Sequence, residues 1–294
     1  MQGAILKSFT YENQGGNGAG VLLLHKELSN EEKQKIAAKI GLSETAFVLK
    51  KDSETYDVSF FTPACEVDLC GHATIAAFYY LGLIGEIKGS NEVITVFQNT
   101  KAGRLEIKLM FKDNQVEYVL MQQQQPKIYN TLKGNDLIKI AASLNTDANN
   151  IGLENVELFP TIVSTGLKDI LIPVKSRKIL NLLHVDFNMI NEISDEKDVI
   201  GYHVFTIENG EIYARNFAPR VGINEECATG TSNGALCSLL FMKNLISNEA
   251  LVYQGESMNE KSLIYVKIEL SEQNNSINVY VGGNALVLKN IIIA

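Results

Sequence analysis

The stretch that decides the fold is Glu66-Val-Asp-Leu-Cys70-Gly-His-Ala-Thr74, which leads into the apolar run 75–81. A similar stretch follows later in the chain, where Cys227 precedes the apolar run 233–241. In each copy the sequence pattern predicts a strand that ends at a Phe-x-Pro turn, and a helix that begins after the cysteine. The landmarks keep offsets of 156 or 157 positions, being Phe61, Pro63 and Cys70 in the first copy and Phe217, Pro219 and Cys227 in the second. These offsets indicate an internal duplication.

The length of 294 residues also favours two domains, since it is about twice that of a common single domain. We predict one domain over 1–121 and another over 127–278, joined by the glutamine-rich segment 122–125 and Pro126. Two similar halves imply one substrate-binding cleft between them.

Outside the cysteine helices, short β-branched or alternating runs predict strands at 93–97, 116–121 and 277–281. Amphipathic helices are predicted at 29–40, where Ser29 or Asn30 is a suitable cap, and at 136–144. This mixture of elements predicts the α+β class.

The composition excludes several classes of function. A net charge of −8 supplies no basic face for phosphates, so we expect no nucleic-acid partner. No run approaches the roughly 18 apolar residues that span a bilayer, and the first residues do not form a signal peptide. We therefore expect a cytoplasmic protein with no membrane partner. The four cysteines, 65, 70, 227 and 237, predict neither a disulfide framework nor a paired zinc motif.

Cys70 and Cys227 are candidate catalytic residues because each precedes a predicted helix, whose first turn is placed at 71–74 or 228–231. Free N–H groups and the positive end of the helix dipole lower the pKa of a thiol and can hold a substrate carboxylate. The residues expected to bind that carboxylate are Gly71, His72, Ala73 and Thr74 in the first copy, and Thr229, Gly230 and Thr231 in the second.

Other cysteines, histidines and glycines have simpler interpretations. Cys65 and Cys237 are interpreted as buried hydrophobic residues. His72 is expected to form hydrogen bonds rather than bind a metal, since no partner lies at metal-ligand spacing. The segment 15–20 lacks the third glycine of a dinucleotide loop and the Walker lysine, so it predicts a tight turn lining the cleft. The remaining histidines are interpreted as structural: His25, His184 and His203. We therefore expect neither a metal nor a cofactor.

Several motifs in order along nearly the whole chain resemble the phenazine-biosynthesis PhzF-like isomerase family. They are Gly16-Asn17, Ser43-Glu44-Thr45-Ala46-Phe47-Val48, Phe61-Thr62-Pro63 with Glu66 to Thr74, Ser164-Thr165-Gly166, Arg215 to Pro219, Ala228-Thr229-Gly230 and Gly282-Gly283. The resemblance implies a diaminopimelate epimerase-like fold, in which each of two domains is a mixed sheet wrapped around a central helix. It also implies that the segment 279–294 completes the first domain.

The same resemblance implies the chemistry. The glutamate at the Glu44 position is the base that shifts a C–H proton, without a cofactor, in a homodimeric biosynthetic enzyme. Asn17 and Gly166 lie in matching motifs and are expected to contact a small carboxylate substrate. A buried carboxylate can serve as such a base if burial raises its pKa toward the working pH.

A departure from the family pattern leaves the base undecided. Members usually read Glu-Asp-Pro where this chain has Glu225-Glu226-Cys227, and related amino-acid epimerases place a cysteine at each helix start. In one version Glu44 is the base, and Glu226 and His72 orient the substrate and help to return the proton. In the other, the two cysteines act on opposite faces of a stereocentre. A thiol redox sensor or a non-catalytic binder of small acids is the alternative from another class.

Overall fold

The computed structural model describes residues 1–270 and 276–293. The chain divides into two compact units, one formed by Met1–Gln122 with Gly282–Ala294 and the other by Gln123–Val281. The first unit is therefore built from both ends of the chain. Residues 271–275, which fall in the predicted second domain, and Ala294, the end of the predicted closing segment, lie outside the described residues.

The first unit contains most of its elements before the chain enters the second. In chain order they are β1 (Gln2–Ser8), β2 (Asn17–Leu24), α1 (Asn30–Ile40), β3 (Glu44–Lys50), β4 (Thr55–Phe61), β5 (Glu66–Val67), α2 (Gly71–Leu83), β6 (Val93–Thr100), β7 (Gly103–Lys112) and β8 (Gln115–Gln122).

The second unit follows with β9 (Lys127–Thr131), α3 (Asn135–Ser143), β10 (Thr161–Ser164), β11 (Lys168–Pro173), α4 (Arg177–Leu182), α5 (Phe187–Lys197), β12 (Gly201–Glu208), β13 (Glu211–Ala218), β14 (Ile223–Glu226), α6 (Gly230–Met242), β15 (Glu249–Gln254), β16 (Ser262–Leu270) and β17 (Ile277–Gly283). The boundary between the units falls within β17, whose residues 282 and 283 belong to the first unit. The last strand, β18 (Ala285–Ile292), also belongs to the first unit.

The sheet of the first unit is mixed. Its strands follow the order β18-β1-β2-β3-β4-β6-β7-β8, and the short β5 pairs beside β4. β2 with β3 and β4 with β6 are parallel pairs, whereas the other pairs are antiparallel. Parallel neighbours need a crossover connection, and α1 and α2 lie in the two crossovers.

The sheet of the second unit repeats this plan. Its strands follow the order β9-β10-β11-β12-β13-β15-β16, with the short β14 beside β13. The parallel pairs are β11 with β12 and β13 with β15, and the helices α4, α5 and α6 lie in these crossovers. The repeat in the sequence is therefore a repeat of topology, and each unit has the predicted α+β architecture.

Helix α2 is the central helix of the first unit. It packs against β1, β2, β3, β7, β8 and β18. Because strands surround it, the helix is apolar on all its faces rather than on a single stripe. Burying a side chain such as Phe78 or Leu81 stabilises the fold by roughly 1.5–3 kcal/mol. In the second unit, α6 packs against β10, β11 and β16 and buries Ser232–Leu240. Among the described residues, no helix is long and apolar enough to cross a membrane.

Helix α1 begins at a capping box. Ser29 Oγ accepts a hydrogen bond from the backbone N–H of Glu32 at 3.3 Å, and Glu32 Oε2 accepts one from the N–H of Ser29 at 2.8 Å. The helix ends before Gly41, whose φ of 72° is the left-handed conformation that glycine adopts without strain. Of the two caps considered from the sequence, Ser29 is the one observed.

The predicted glycine-rich turn covers too many residues. Gly15 and Gly16 have φ values of 64° and 77° and lie just before β2, but Gly18 and Gly20 belong to β2. A Cβ at Gly20 would lie 2.9 Å from Thr45 Oγ1 on the neighbouring strand. This close approach within the sheet accounts for a glycine at position 20.

The two cysteines interpreted as hydrophobic core differ from each other. Cys237 is fully buried in α6, and burial raises the pKa of its thiol, so it is unreactive. The interpretation of Cys65 is wrong, because this residue is exposed. It closes a turn in which the N–H of Thr62 donates to the carbonyl of Cys65 at 2.8 Å.

Replacing Ser29 with alanine tests the capping box. We expect the free energy of unfolding to fall by about 1 kcal/mol, because the N–H of Glu32 loses its acceptor. Urea denaturation measures this change. The matched control is Ser53→Ala at an exposed bend, which should change stability by less than about 0.5 kcal/mol. Equal stabilities of the two variants would contradict the role of the cap.

Candidate active site

Three ionisable side chains of the first unit meet at the start of α2. Glu44 is the first residue of β3, Cys70 is the N-cap of α2, and His72 lies in the first turn of that helix. Glu44 Oε2 is 3.0 Å from His72 Nε2. Cys70 Sγ is 3.6 Å from His72 Nδ1 and 3.7 Å from Nε2. Residues from two separate sequence motifs thus form one cluster.

The backbone at this helix start is held from two sides. Ser8 Oγ on β1 donates a hydrogen bond to the carbonyl of His72 at 2.7 Å. The N–H and the hydroxyl of Thr74 lie 3.0 and 2.8 Å from the carbonyl of Cys70, to which both donate. Asn17 lies opposite Ser8 in the pairing of β2 with β1. The turn that carries Cys70 and His72 is therefore fixed by strand and helix together.

The predicted carboxylate-binding turn is only partly available to a ligand. Thr74 is fully buried, and its hydroxyl lies within hydrogen-bonding distance of both Cys70 O and Gln98 Oε1. Its polar groups are thus used inside the unit, which argues against a contact with substrate. In an α-helix the first N–H groups, here those of Gly71–Ala73, have no partner within the helix. These groups can hold an anion.

Neighbouring charges decide the protonation of the cluster. Burial raises the pKa of Glu44, but the contact with His72, aided by Ser43 and Cys70, outweighs it, so the net pKa lies below its usual value. Burial lowers the pKa of His72, yet the charge of Cys70 and the contacts with Cys70 and Glu44 raise it well above its usual value. At neutral pH the pair is a carboxylate beside an imidazolium. A net rise in the pKa of Glu44, which the sequence led us to consider, is not observed.

The second copy of the cysteine turn is built differently. Helix α6 begins at Gly230 with Thr229 as its N-cap, so the predicted first turn at 228–231 starts two residues too early. Thr229 has an extended backbone, with φ of −128° and ψ of 102°. Cys227 therefore lies outside the helix start, whereas Cys70 is the N-cap of its own helix. The dipole argument applies to Cys70 and not to Cys227.

A buried glutamine holds the start of α6. Gln254 Oε1 accepts hydrogen bonds from the N–H of Thr229 at 3.2 Å and from Asn233 Nδ2 at 2.8 Å. Gln254 Nε2 donates to the carbonyl of Glu226 at 2.7 Å and to Thr229 Oγ1 at 3.0 Å. Thr229 Oγ1 in turn donates to Glu226 Oε2 at 2.7 Å. Both the backbone and the carboxylate of Glu226 are thus fixed in position.

Gln98 has the corresponding place in the first unit. It is fully buried, and its Oε1 lies 3.3 Å from Thr74 Oγ1. Reasoning from the sequence missed both glutamines as supports of the two helix starts. A signal was present, since Gln98 and Gln254 are separated by the repeat offset of 156 and each directly follows an aromatic residue.

Two of the predicted substrate-binding residues of the second unit are neighbours. Thr165 Oγ1 donates to the carbonyl of Thr231 at 2.9 Å. A Cβ at Gly166 would lie 3.8 Å from Thr231 Cγ2. Gly166 has a φ of 155°, which side-chain-bearing residues rarely adopt. Gly166 and Thr231 therefore lie together beside the start of α6.

A buried hydrogen-bond network lies next to this helix start. Ser232 Oγ donates to Asp169 Oδ2 at 2.5 Å. Asn216 Nδ2 is 3.2 Å from both Ser232 Oγ and His203 Nδ1. His203 Nε2 is 3.0 Å from Asn233 Oδ1. All five side chains are buried.

The network selects one tautomer of His203. Asn233 Nδ2 donates to the carbonyl of Thr229 at 2.9 Å and to Gln254 Oε1, so Asn233 Oδ1 is left as an acceptor. His203 Nε2 must then carry the proton, and Nδ1 accepts from Asn216. Burial lowers the pKa of His203 to about 4, against the opposing hydrogen bond with Asn233. The imidazole is therefore neutral at physiological pH.

Asp169 is a carboxyl group that favours its protonated form. Burial raises its pKa to about 7, although hydrogen bonds from Ser232 and the backbone of Gly201 oppose the rise. The negative charge of Glu226 raises the pKa further.

Comparisons with known proteins agree with this architecture. The family model described as "Phenazine biosynthesis-like protein" matches residues 6–290. An uncharacterized isomerase of Clostridium acetobutylicum is 34% identical and is aligned over 96% of this chain and 94% of its own. The uncharacterized isomerase YddE of Escherichia coli K12 is 30% identical over the same shares.

Solved structures show the same fold. A PhzF-family phenazine biosynthesis protein of Bacillus anthracis superposes with a TM-score of 0.83 at 24% identity, covering 100% of this chain and 99% of that one. A hydroxyproline epimerase from Agrobacterium vitis gives a TM-score of 0.61 at 11% identity, covering 99% and 91%. The fold class predicted from the sequence, with two mixed-sheet halves around central helices, is confirmed.

The substitution Asp169→Asn tests the buried carboxyl group. Because the pKa of Asp169 is raised from 3.8 to about 7, protonation stabilises the fold below about pH 4, and this stabilisation is lost as the pH rises through about 7. The asparagine variant has no such proton to lose. We expect its stability relative to wild type to increase by roughly 2–4 kcal/mol between about pH 4 and pH 8.

Urea unfolding of wild type and Asp169→Asn between about pH 4 and pH 8 measures the difference in their free energies of unfolding. The contribution of His203 cancels in this difference because both proteins contain it. The matched control is Asp113→Asn, the same substitution at an exposed turn, against which the Asp169→Asn difference is compared. An Asp169→Asn difference that is constant with pH would show that the carboxyl group has an ordinary pKa.

Proposed function

The chain belongs to the phenazine biosynthesis-like family, a family of isomerases, and we propose that it moves a proton within a small carboxylate-bearing substrate without a cofactor. The proposal names Glu44 as the base. It extends to a cytoplasmic homodimer with a biosynthetic role, which the motif resemblance implies.

The observation that carries the proposal is the cluster of Glu44, Cys70 and His72 at a helix start. Glu44 Oε2 lies 3.0 Å from His72 Nε2, and its ionised form can accept a proton. The N–H groups of Gly71–Ala73 and the helix dipole favour an anion at the same place. A base and an anion-binding turn are the two parts that this chemistry requires.

The proton transfer proceeds in two steps. A C–H bond of the substrate breaks, its proton passes to a carboxylate oxygen of Glu44, and the electron pair delocalises toward the conjugated acid group. The proton then returns to a different carbon, delivered by Glu44 or by the imidazolium of His72. An anionic substrate bound beside Glu44 raises the pKa of this carboxyl group, which makes it a stronger base than in the free enzyme.

The second candidate mechanism uses Cys70 and Cys227 as a thiolate and a thiol in an amino-acid epimerase. The observation in its favour is the contact of Cys70 Sγ with His72 Nδ1 at 3.6 Å, which places a group that can carry a proton beside this sulfur. The start of α6 favours Glu44 instead, since Cys227 lies before the N-cap Thr229 and lacks the support of the dipole. We therefore place the glutamate mechanism first.

Two substitutions separate these mechanisms. Purified variants are incubated with a panel of small amino, hydroxy and unsaturated acids in deuterium oxide, and NMR measures the entry of deuterium into carbon positions. We expect Glu44→Gln to reduce exchange by roughly 10²–10⁴-fold, because the amide cannot accept the proton. We expect Cys227→Ala to retain exchange within about tenfold of wild type.

The control is Glu54→Gln at an exposed position, which should exchange at the wild-type rate. Circular dichroism verifies that all variants are folded. Loss of exchange in Cys227→Ala with retention in Glu44→Gln would replace the glutamate mechanism by the two-cysteine mechanism. The absence of exchange from every acid in the wild-type protein, with reversible thiol oxidation instead, would favour the redox-sensor alternative.

A further inference from the structure

The cluster at the start of α2 presents three kinds of metal ligand. A carboxylate oxygen of Glu44, the sulfur of Cys70 and a ring nitrogen of His72 all lie within 4.8 Å of one another. The spacing along the sequence concealed this arrangement, since Glu44 precedes His72 by 28 positions and lies on a different element. The pairing of β2 with β3 and the position of α2 bring the three groups together.

Two of the three ligand separations can be compared with those of a zinc site. Tetrahedral Zn²⁺ with bonds of 2.0–2.3 Å keeps its ligand atoms roughly 3.3–3.7 Å apart. Here the oxygen of Glu44 is 3.0 Å from His72 Nε2, and the sulfur of Cys70 is 3.7 Å from the same nitrogen. Admitting the ion requires Glu44 Oε2 to move away from His72 Nε2, while the bond from Ser8 to His72 O holds the turn in place.

The charges of the cluster also suit a divalent cation. A thiolate at Cys70 and the carboxylate of Glu44 together carry two negative charges, which offset the unfavourable positive end of the α2 dipole. Glu44 Oε2 is buried and lies 3.0 Å from His72 Nε2, so loss of the His72 proton would leave a lone pair of this oxygen available for coordination. Thiolate, imidazole and carboxylate are the ligand types that zinc prefers.

We propose that Glu44, Cys70 and His72 form a three-ligand Zn²⁺ site whose occupation inhibits the enzyme. The inhibitory part rests on the proposed function, because zinc would occupy the carboxylate that acts as the base and would neutralise His72. Binding displaces the proton of His72 and any proton on Cys70. A fourth coordination position stays open to water or to a carboxylate.

Metal binding is tested on the full chain, reduced and freed of metal. Titration with Zn²⁺ chloride in competition with a chromophoric chelator should show one equivalent bound. Titration of the wild-type protein with Co²⁺ chloride should give a thiolate-to-cobalt charge-transfer band and the strong visible bands of four-coordinate cobalt, which Zn²⁺ then removes. Glu44→Gln, Cys70→Ser and His72→Asn should each weaken Zn²⁺ binding by at least about tenfold.

Matched controls are Glu54→Gln, Cys65→Ser and His25→Asn, which carry the same substitutions at exposed positions and should bind Zn²⁺ as wild type does. The proposal is overturned if wild type binds no zinc, if binding depends on Cys65 or His25, or if only the cysteine substitution weakens it. The cobalt spectrum of wild-type protein decides the case should a variant fail to fold, since a spectrum without the charge-transfer band excludes Cys70 as a ligand.

Inhibition is tested separately, with an acid found to exchange deuterium. Saturating Zn²⁺ should suppress exchange by at least about tenfold, and a chelator should restore it. Unchanged exchange in the zinc-loaded enzyme would overturn the inhibitory role while leaving the metal site intact. Failure of the proposed function has a different signature, namely exchange that survives Glu44→Gln, and it leaves the cobalt spectrum unaffected.

Discussion

A helix surrounded by strands has no bulk water along its sides, and this constraint governs both units. The helix must be apolar on all faces, as α2 and α6 are, and the polar groups at its ends must find partners nearby. At the start of α2 these partners are Ser8 and Thr74, with Gln98 buried behind them. At the start of α6 Gln254 makes four hydrogen bonds. These bonds hold the helix starts in place, because leaving one of these buried polar groups unpaired would cost about 1–3 kcal/mol.

Rigidity at the start of α2 gives the functional groups a defined environment. Glu44 and His72 are both largely buried, and a charge in such a place depends on its nearest partner more than on solvent. His72 keeps the carboxylate of Glu44 ionised, and Cys70 and Glu44 keep His72 charged. The short distances among these side chains are compatible with two functions. The groups can exchange a proton with a substrate, or they can coordinate a divalent cation. Both functions require the side-chain oxygen, nitrogen and sulfur atoms to lie only a few ångströms apart.

The two copies have diverged at equivalent places. In the first unit a cysteine caps the central helix and charged groups cluster beside it. In the second, Thr229 is the cap, and the neighbouring network is neutral at its centre, with His203 held as one tautomer between asparagines. A carboxyl group lies at each end of this network. One is Asp169, and the other is Glu226, which is connected to the network through Thr229 and Gln254. A common topology thus supports a charged cluster in one unit and a largely neutral network in the other.

The sequence by itself determined the duplication, the α+β class and the helix that follows Ser29, because each depends on periodicity or on residues within one turn. Motif resemblance added Glu44, which local patterns would have assigned to a solvated loop. Only the tertiary structure decided that Glu44 approaches His72, that α6 begins after Thr229 rather than after Cys227, and that Gln98 and Gln254 support the helix starts. It also decided the direction of the pKa of Glu44, which the sequence had left open. These features depend on distances between elements far apart in the chain, and packing sets those distances.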